Sequence, residues 1–416
     1  MSRFNMLKPA AAVTAFAVCA AGLSGCGSFL NSFKYLFTPE PTRSVSSQSQ
    51  SGSAPAVRGQ TRTGYGYDSL GSDELKTIYN TIDEQMSCSY SEEFTVYGSL
   101  SDFDEALGAY EADHPEAFWL DLDSRYSYID YGDSVSVELN FEMEGDQLSE
   151  AKQAFDDKVD QIAALAPQNA DEYHTEIFIN DYLIDNCDYQ SGASMSHNAY
   201  GSLINGAAVC DGYSKAFQVL CDKLGIQCVG INGYCPDFNK ENGESSDTGH
   251  MWNCVNIGGE WYHIDVTWND GDTHIQRYLY FNMTTEDIRK NHTISPLYSN
   301  GSDPNELYNV YVPECTAEDY NYMKRECVTL YSLDESDELI AAFLEAARNR
   351  EEYVDFLISE DLDYGEATQA ISDNYGYRWI EEVNYYNSDG AQISTDSNFY
   401  TYGSINAVTF DLQYTD

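Results

Sequence analysis

The chain has 416 residues, 42% of them apolar and 14% aromatic, and a formal charge of −48 at neutral pH. That much apolar side chain builds cores and excludes wholesale disorder, and the length allows two or three folded units. The acid excess excludes nucleic acid as a partner, and bare anionic lipid with it, because both would be repelled.

The amino terminus reads as an export signal. Arg3 and Lys8 form a positive head, and Pro9 to Leu23 is an almost uncharged apolar run of about fifteen residues, short of the ~20 that span a bilayer. It ends in Leu23-Ser24-Gly25-Cys26, which resembles the bacterial lipobox. That resemblance implies a signal peptide over residues 1–26, cleavage before Cys26 and lipid on its sulfur. The expected product is an exported, membrane-anchored lipoprotein facing the extracellular or cell-wall side. An uncleaved anchor helix is the other reading. Residues 27–64 are expected as a flexible tether, since from Thr38 to Gly64 the chain is rich in Ser, Gln, Thr, Pro and Gly and carries almost no large apolar residue.

Residues 65–165 predict a small α+β domain. Leu75, Ile78, Tyr79, Ile82 and Met86 keep helical spacing behind a Ser72 cap, and Ser101 with Asp104 marks a second helix start. His114-Pro115 ends that helix. Val135, Val137, Leu139, Phe141 and Met143 alternate as in a half-buried strand, and Leu148, Ala151, Phe155, Val159 and Ile162 predict a third helix. Residues 301–416 predict a C-terminal accessory domain. There Leu339, Phe343 and Ala346 suggest an exposed helix and Ala367 to Ser372 another, while Trp379 to Tyr386 and Ala407 to Tyr414 read as strands.

The chemistry concentrates in residues 166–300. Cys210 stands just before Tyr213, Ala216, Phe217, Leu220 and Leu224, an amphipathic helix that Gly225 stops. A cysteine at a helix start meets unpaired backbone N–H groups and the positive end of the dipole, which favour a thiolate and can hold an oxyanion. Further on, two strand-like runs flank Gly258-Gly259, a hairpin signal. A two-residue loop sets Ile257 opposite Glu260, Trp252 opposite Asp265 and His250 opposite Thr267. His250, Trp252, Asp265 and Thr267 then share a face, with His250 and Asp265 diagonal neighbours. An acid beside an imidazole is what a nucleophilic cysteine needs: the imidazole takes the thiol proton and the carboxylate orients the ring. His263 shares that face and is a rival base, read here as a hydrogen-bonded strand histidine. Trp252 and Trp268 are cleft-lining candidates.

The stretches Val209-Cys210-Asp211-Gly212-Tyr213-Ser214-Lys215-Ala216-Phe217, His250-Met251-Trp252-Asn253 and Trp261-Tyr262-His263-Ile264-Asp265-Val266-Thr267-Trp268 resemble the three core motifs of the transglutaminase-like superfamily. The resemblance covers about a third of the chain. It implies a papain-like α+β core, the cysteine helix packed on an antiparallel sheet. It also implies Cys210 as nucleophile, His250 as base and Asp265 as orienting acid. Tyr278 to Asn282 and His292 resemble the tail of the bacterial secreted branch. Met251 departs from a frequent alanine, Asn180 from a frequent histidine, and an acidic loop, Asp237 to Thr248, precedes His250. No HExxH or EF-hand spacing is present, so no metal or cofactor is expected. Cys88, Cys187, Cys221, Cys228, Cys235, Cys254, Cys315 and Cys327 remain as buried thiols or disulfide partners, with no spacing that dictates pairing.

The function expected from this is acyl transfer or hydrolysis on peptide or carboxamide groups of cell-wall or extracellular peptides, through a thioester. The alternative is a catalytically silent surface module that uses the same fold to bind protein or wall.

Overall fold

The computed structural model describes residues 64–122, 124–236, 247–295, 309–334, 336–388, 390–403 and 405–415. The expected export signal with Cys26, the expected tether before Gly64 and acidic-loop residues 237–246 lie outside the described residues. None of the described helices is long and apolar enough to cross a membrane.

The first long helix, α1 (Asp73–Met86), starts where its cap dictates, Ser72 Oγ accepting the Leu75 N–H at 3.1 Å, and it buries the five residues its spacing predicts. The second, α2 (Leu100–Asp113), starts two residues earlier than expected. Its cap is Ser99, whose N–H donates to the Asp102 carboxylate at 2.7 Å while its Oγ accepts the Asp102 N–H at 3.2 Å. This reciprocal box satisfies donors that Ser101 and Asp104, already inside the first turns, could not reach. Strands β1 (Phe94–Tyr97), β2 (Tyr126–Asp130) and β3 (Ser134–Leu139) form an antiparallel sheet ordered β1-β3-β2. β3 stops short of the alternating pattern, and Phe141 makes only an isolated bridge to Leu120. Helix α3 (Gly145–Leu165) buries Leu148, Phe155, Val159 and Ile162.

Helix α4 (Glu172–Asn186) packs against helix α5 (Cys210–Leu224), which lies on an antiparallel sheet. Its strands are β4 (Cys228–Pro236), β5 (Asp247–Ile257), β6 (Glu260–Ile264) and β7 (Thr293–Ile294), ordered β6-β5-β4-β7. Tyr213, Ala216, Phe217 and Leu220 of α5 are fully buried, each large side chain contributing about 1.5–3 kcal/mol. Gly225 adopts φ 82° at the helix end, the left-handed cap a side chain would resist. Side chains tie helix to sheet: Ser214 Oγ donates to Trp252 O at 3.0 Å, and Asn253 Nδ2 to Ser214 O at 3.1 Å. One cluster of buried apolar residues runs from Leu70 to Cys327, through the residues of both the 65–165 and 166–300 regions, and takes in Ala407.

A second cluster, from Leu330 to Leu412, belongs to the C-terminal region. Strands β8 (Val328–Leu330), β9 (Tyr353–Ile358), β10 (Asn398–Tyr402) and β11 (Ala407–Asp411) are ordered β8-β9-β11-β10, with only β8 and β9 parallel. Helix α6 (Asp337–Asn349) buries Leu339, Phe343 and Ala346, and α7 (Tyr364–Ala370) follows. Trp379 to Tyr386, expected as a strand, lies in helix α8 (Gly376–Tyr386). Its aromatic and β-branched content suits a strand, but Trp379, Ile380 and Val383 are buried while Tyr385 and Tyr386 are exposed, which is helical spacing.

The β5–β6 hairpin turns on Gly258 and Gly259, at φ 64° and 92°, and pairs Ile257 with Glu260 through Asn253 with Ile264. The register is the expected one, but the ladder ends at Ile264. Asp265 caps a short helical turn, Val266–Asn269, its carboxylate accepting the Trp268 N–H at 3.1 Å. Its own N–H donates to Tyr280 O at 3.0 Å. Thr267 therefore sits in that turn and does not oppose His250; Gly233 of β4 does. A Cβ on Gly233 would stand 2.1 Å from Thr293 O and 2.6 Å from the Trp252 ring. Gly233→Ala should destabilise the fold by about 3 kcal/mol, read as a lower urea midpoint with unchanged slope.

Candidate active site

Cys210 is the first residue of α5, and the preceding cap, Val209, offers no side chain to the first-turn N–H groups. Those donors stay with the sulfur's end of the helix. The following Cys210-Asp211-Gly212 turn lies against Ser196 and Ala208. A Cβ on Gly212 would meet Ser196 O at 2.4 Å, so glycine sets how closely this helix start approaches its neighbour. Cys210 is partly exposed, whereas His250, Asp265 and His292 are buried.

His250 Nε2 lies 2.6 Å from Asp265 Oδ2, and Cys210 is near enough to add to the rise in the His250 pKa. The hairpin thus delivers the expected neighbours, although Asp265 arrives from a helix cap and not from a paired strand. Both carboxylate oxygens are used: Oδ1 caps the turn and Oδ2 faces the histidines. Behind Asp265, Tyr280 N–H donates to Asn269 Oδ1 at 2.8 Å and Asn269 Nδ2 to Asn180 Oδ1 at 3.1 Å. Asn180 in turn donates to Arg277 O at 3.0 Å, so it holds the loop that positions the acid.

Burial opposes charge on both members of the pair, and their mutual attraction outweighs it. For His250, desolvation lowers the pKa, but Asp265, by charge and hydrogen bond, and Cys210 lift it to about 10. For Asp265, desolvation raises the pKa, but His250 and then His292 hold it far below the carboxylate range. At neutral pH the histidine keeps its proton and the acid stays ionised. An imidazole held by a carboxylate beside a cysteine is an arrangement that can exchange a proton with the thiol.

Trp252 is buried and stacks on the His250 ring, centroids 5.9 Å apart at 21°, so it backs the ring and does not line an open cleft. Trp268, half-buried, lies 5.8 Å from His250 and 4.5 Å from His292. His263 is occupied elsewhere, with Trp252 Nε1–H donating to its Nδ1 at 3.1 Å and Thr285 Oγ1 3.1 Å from its Nε2. The residue the motifs do not place is His292, whose Nε2 stands 3.0 Å from Asp265 Oδ2. Burial lowers its pKa, Asp265 opposing, so it is a neutral ring that holds the shared oxygen. His250, Asp265 and His292 offer donor atoms within 4.8 Å of one another, but the acid is already committed to the two rings.

Residues 161–266 match the Transglutaminase-like superfamily. That transglutaminase-like segment holds Cys210, His250 and Asp265; His292 falls outside it. The mouse kyphoscoliosis peptidase is 39% identical over 64 residues, 15% of this chain and 10% of that one. The chain therefore spans about a tenth of the length of the curated relatives it matches. Two solved structures are similar: a candidate cysteine protease from Cytophaga hutchinsonii, 16% identical over 34% of this chain and 61% of that one, TM-score 0.23; and a TGase, 15% identical over 36% and 45%, TM-score 0.24.

Proposed function

We propose that this chain is a surface-tethered transglutaminase-like cysteine enzyme that performs acyl transfer or hydrolysis on peptide or carboxamide groups. The observation that carries this is the His250–Asp265 pair at 2.6 Å, with Cys210 at a partly exposed helix start near enough to help raise the His250 pKa. In the proposed reaction the thiol proton of Cys210 already sits on His250, and the sulfur attacks the acyl carbon as the thiolate. The first-turn N–H groups of α5 hold the developing oxyanion. His250 returns its proton to the departing amine or ammonia, leaving a thioester on Cys210. Water or a primary amine then adds, giving up a proton to His250, and the sulfur leaves as the thiolate beside the re-formed imidazolium. Asp265 holds the ring throughout, and His292 holds Asp265.

The lipobox-like Leu23-Ser24-Gly25-Cys26 and the polar tether support a location outside the membrane, with cell-wall or extracellular peptides as substrates. The peptidase name of the matching curated relative is consistent with a peptide substrate. The test offers glutamine-containing peptides to the purified mature chain, with and without a biotinylated primary amine, and reads the products by mass spectrometry. Cleavage, deamidation or amine incorporation that disappears in Cys210→Ala supports the proposal and names the acceptor. No Cys210-dependent product from any peptide pool, cell-wall peptides included, would refute it.

A further inference from the structure

A second group of reactive side chains lies in the same sheet and takes no part in the proposed reaction. Cys254 of β5 and His263 of β6 are register partners, and Cys315 reaches them from the segment that follows residue 309. That segment is fixed by Thr285, whose N–H donates to Cys315 O at 2.8 Å and whose Oγ1 accepts the Cys315 N–H at 3.1 Å. Cys254 Sγ lies 3.7 Å from Cys315 Sγ and 3.1 Å from His263 Nδ1, and all three residues are buried. By donor type the group could hold a cation. The imidazole argues otherwise. Its Nδ1 accepts the Trp252 N–H and its Nε2 faces Thr285 Oγ1, so neither nitrogen offers a free lone pair. Two sulfurs in contact remain, a small side-chain adjustment from a bond.

We propose that Cys254 and Cys315 form a disulfide that fastens the segment after residue 309 to the hairpin carrying His250 and Asp265. The step is a thiol–disulfide exchange with a disulfide-bearing oxidant. The Cys315 sulfur attacks one oxidant sulfur and expels the other as a thiolate. Cys254 then attacks Cys315 and releases the second. One disulfide forms, one is reduced, and the two thiol protons leave with the oxidant's sulfurs. Because both sulfurs are buried, exchange takes place before the segment closes over β6. The cross-link joins residues 61 apart, restricts the unfolded chain, and steadies the Trp252–His263 contact behind the His250 ring.

The test uses the purified chain, unfolded and refolded with oxidised and reduced glutathione, then blocked with N-ethylmaleimide in denaturant, digested and analysed by mass spectrometry. The expected result is a linked peptide containing Cys254 and Cys315, absent from Cys254→Ser and from Cys315→Ser, with Cys210 blocked in every sample. Oxidised protein should melt higher than the same protein after reduction. Refolded wild-type protein in which Cys254 and Cys315 both carry the maleimide, or pair with other cysteines, would overturn the proposal whether or not the variants fold. One equivalent of co-purifying zinc or copper that both substitutions remove would overturn it in favour of a metal site. Neither result depends on the acyl-transfer reading, since the assay needs no turnover.

Discussion

Cys210→Ala should abolish acyl transfer, lowering turnover by about 10⁴-fold or more while leaving the melting temperature within a degree or two of wild type. Cys210 opens α5 and is partly exposed, so alanine at that position keeps the helix and its packing and removes only the sulfur. The buried side of the helix, Tyr213, Ala216, Phe217 and Leu220, is untouched. The peptide assay and a thermal melt on the same preparation check both halves. Activity within tenfold of wild type would mean that another group attacks the acyl carbon.

Asp265→Asn should be nearly as damaging to turnover, about 10³- to 10⁴-fold, and it should change how stability depends on pH. Asparagine can still cap the Trp268 N–H, but it supplies no charge to His250 or to His292. A group whose folded pKa is raised contributes stability in full below its unfolded value and loses it as pH rises through the folded value. For His250 those values are 6.5 and about 10. Asp265 has a depressed folded pKa, so its contribution is present above its unfolded value of 3.8 and is lost as pH falls through its folded value. The pair therefore stabilises the native state most between pH 3.8 and 6.5 and progressively less towards pH 10. Urea unfolding of wild type and Asp265→Asn at about pH 5.5, 8 and 10.5 should show the gap widest at the first and nearly closed at the last. A gap that is constant across this range would mean that the acid acts through packing and capping alone.

What the sequence conveyed was whatever local spacing controls. The helix behind Cys210 is marked by its apolar stripe and by Gly225, and the hairpin by Gly258-Gly259, whose two left-handed residues set the register. That brought His250 and Asp265 together before any coordinates. Local spacing could not tell that β6 ends at Ile264, because the reason is the carboxylate's capping of Trp268 N–H and the pull of Tyr280 O on the Asp265 N–H. His292 was harder still. It stands 27 residues beyond Asp265 and reaches it only through the packing of the chain beside β7. Trp379 to Tyr386 shows the opposite fault, composition weighed above the period at which Trp379, Ile380 and Val383 are buried. The Cys254–Cys315 contact has no counterpart in the spacing of the cysteines, since the two lie on separate segments joined only by the fold.

The claim on which the account rests is that His250 activates Cys210, and limiting iodoacetamide at mildly acidic pH tests it without any substrate. Cys88 is exposed, so it sets the rate that accessibility alone gives. Burial pushes the Cys221 thiol up, which keeps it unreactive. Mass spectrometry after brief labelling should find Cys210 modified before Cys88, at least about tenfold faster, with the difference lost in a folded His250→Ala variant. Cys88 labelled first, or Cys210 labelling indifferent to His250, would contradict the account and leave the transglutaminase-like segment as a binding module.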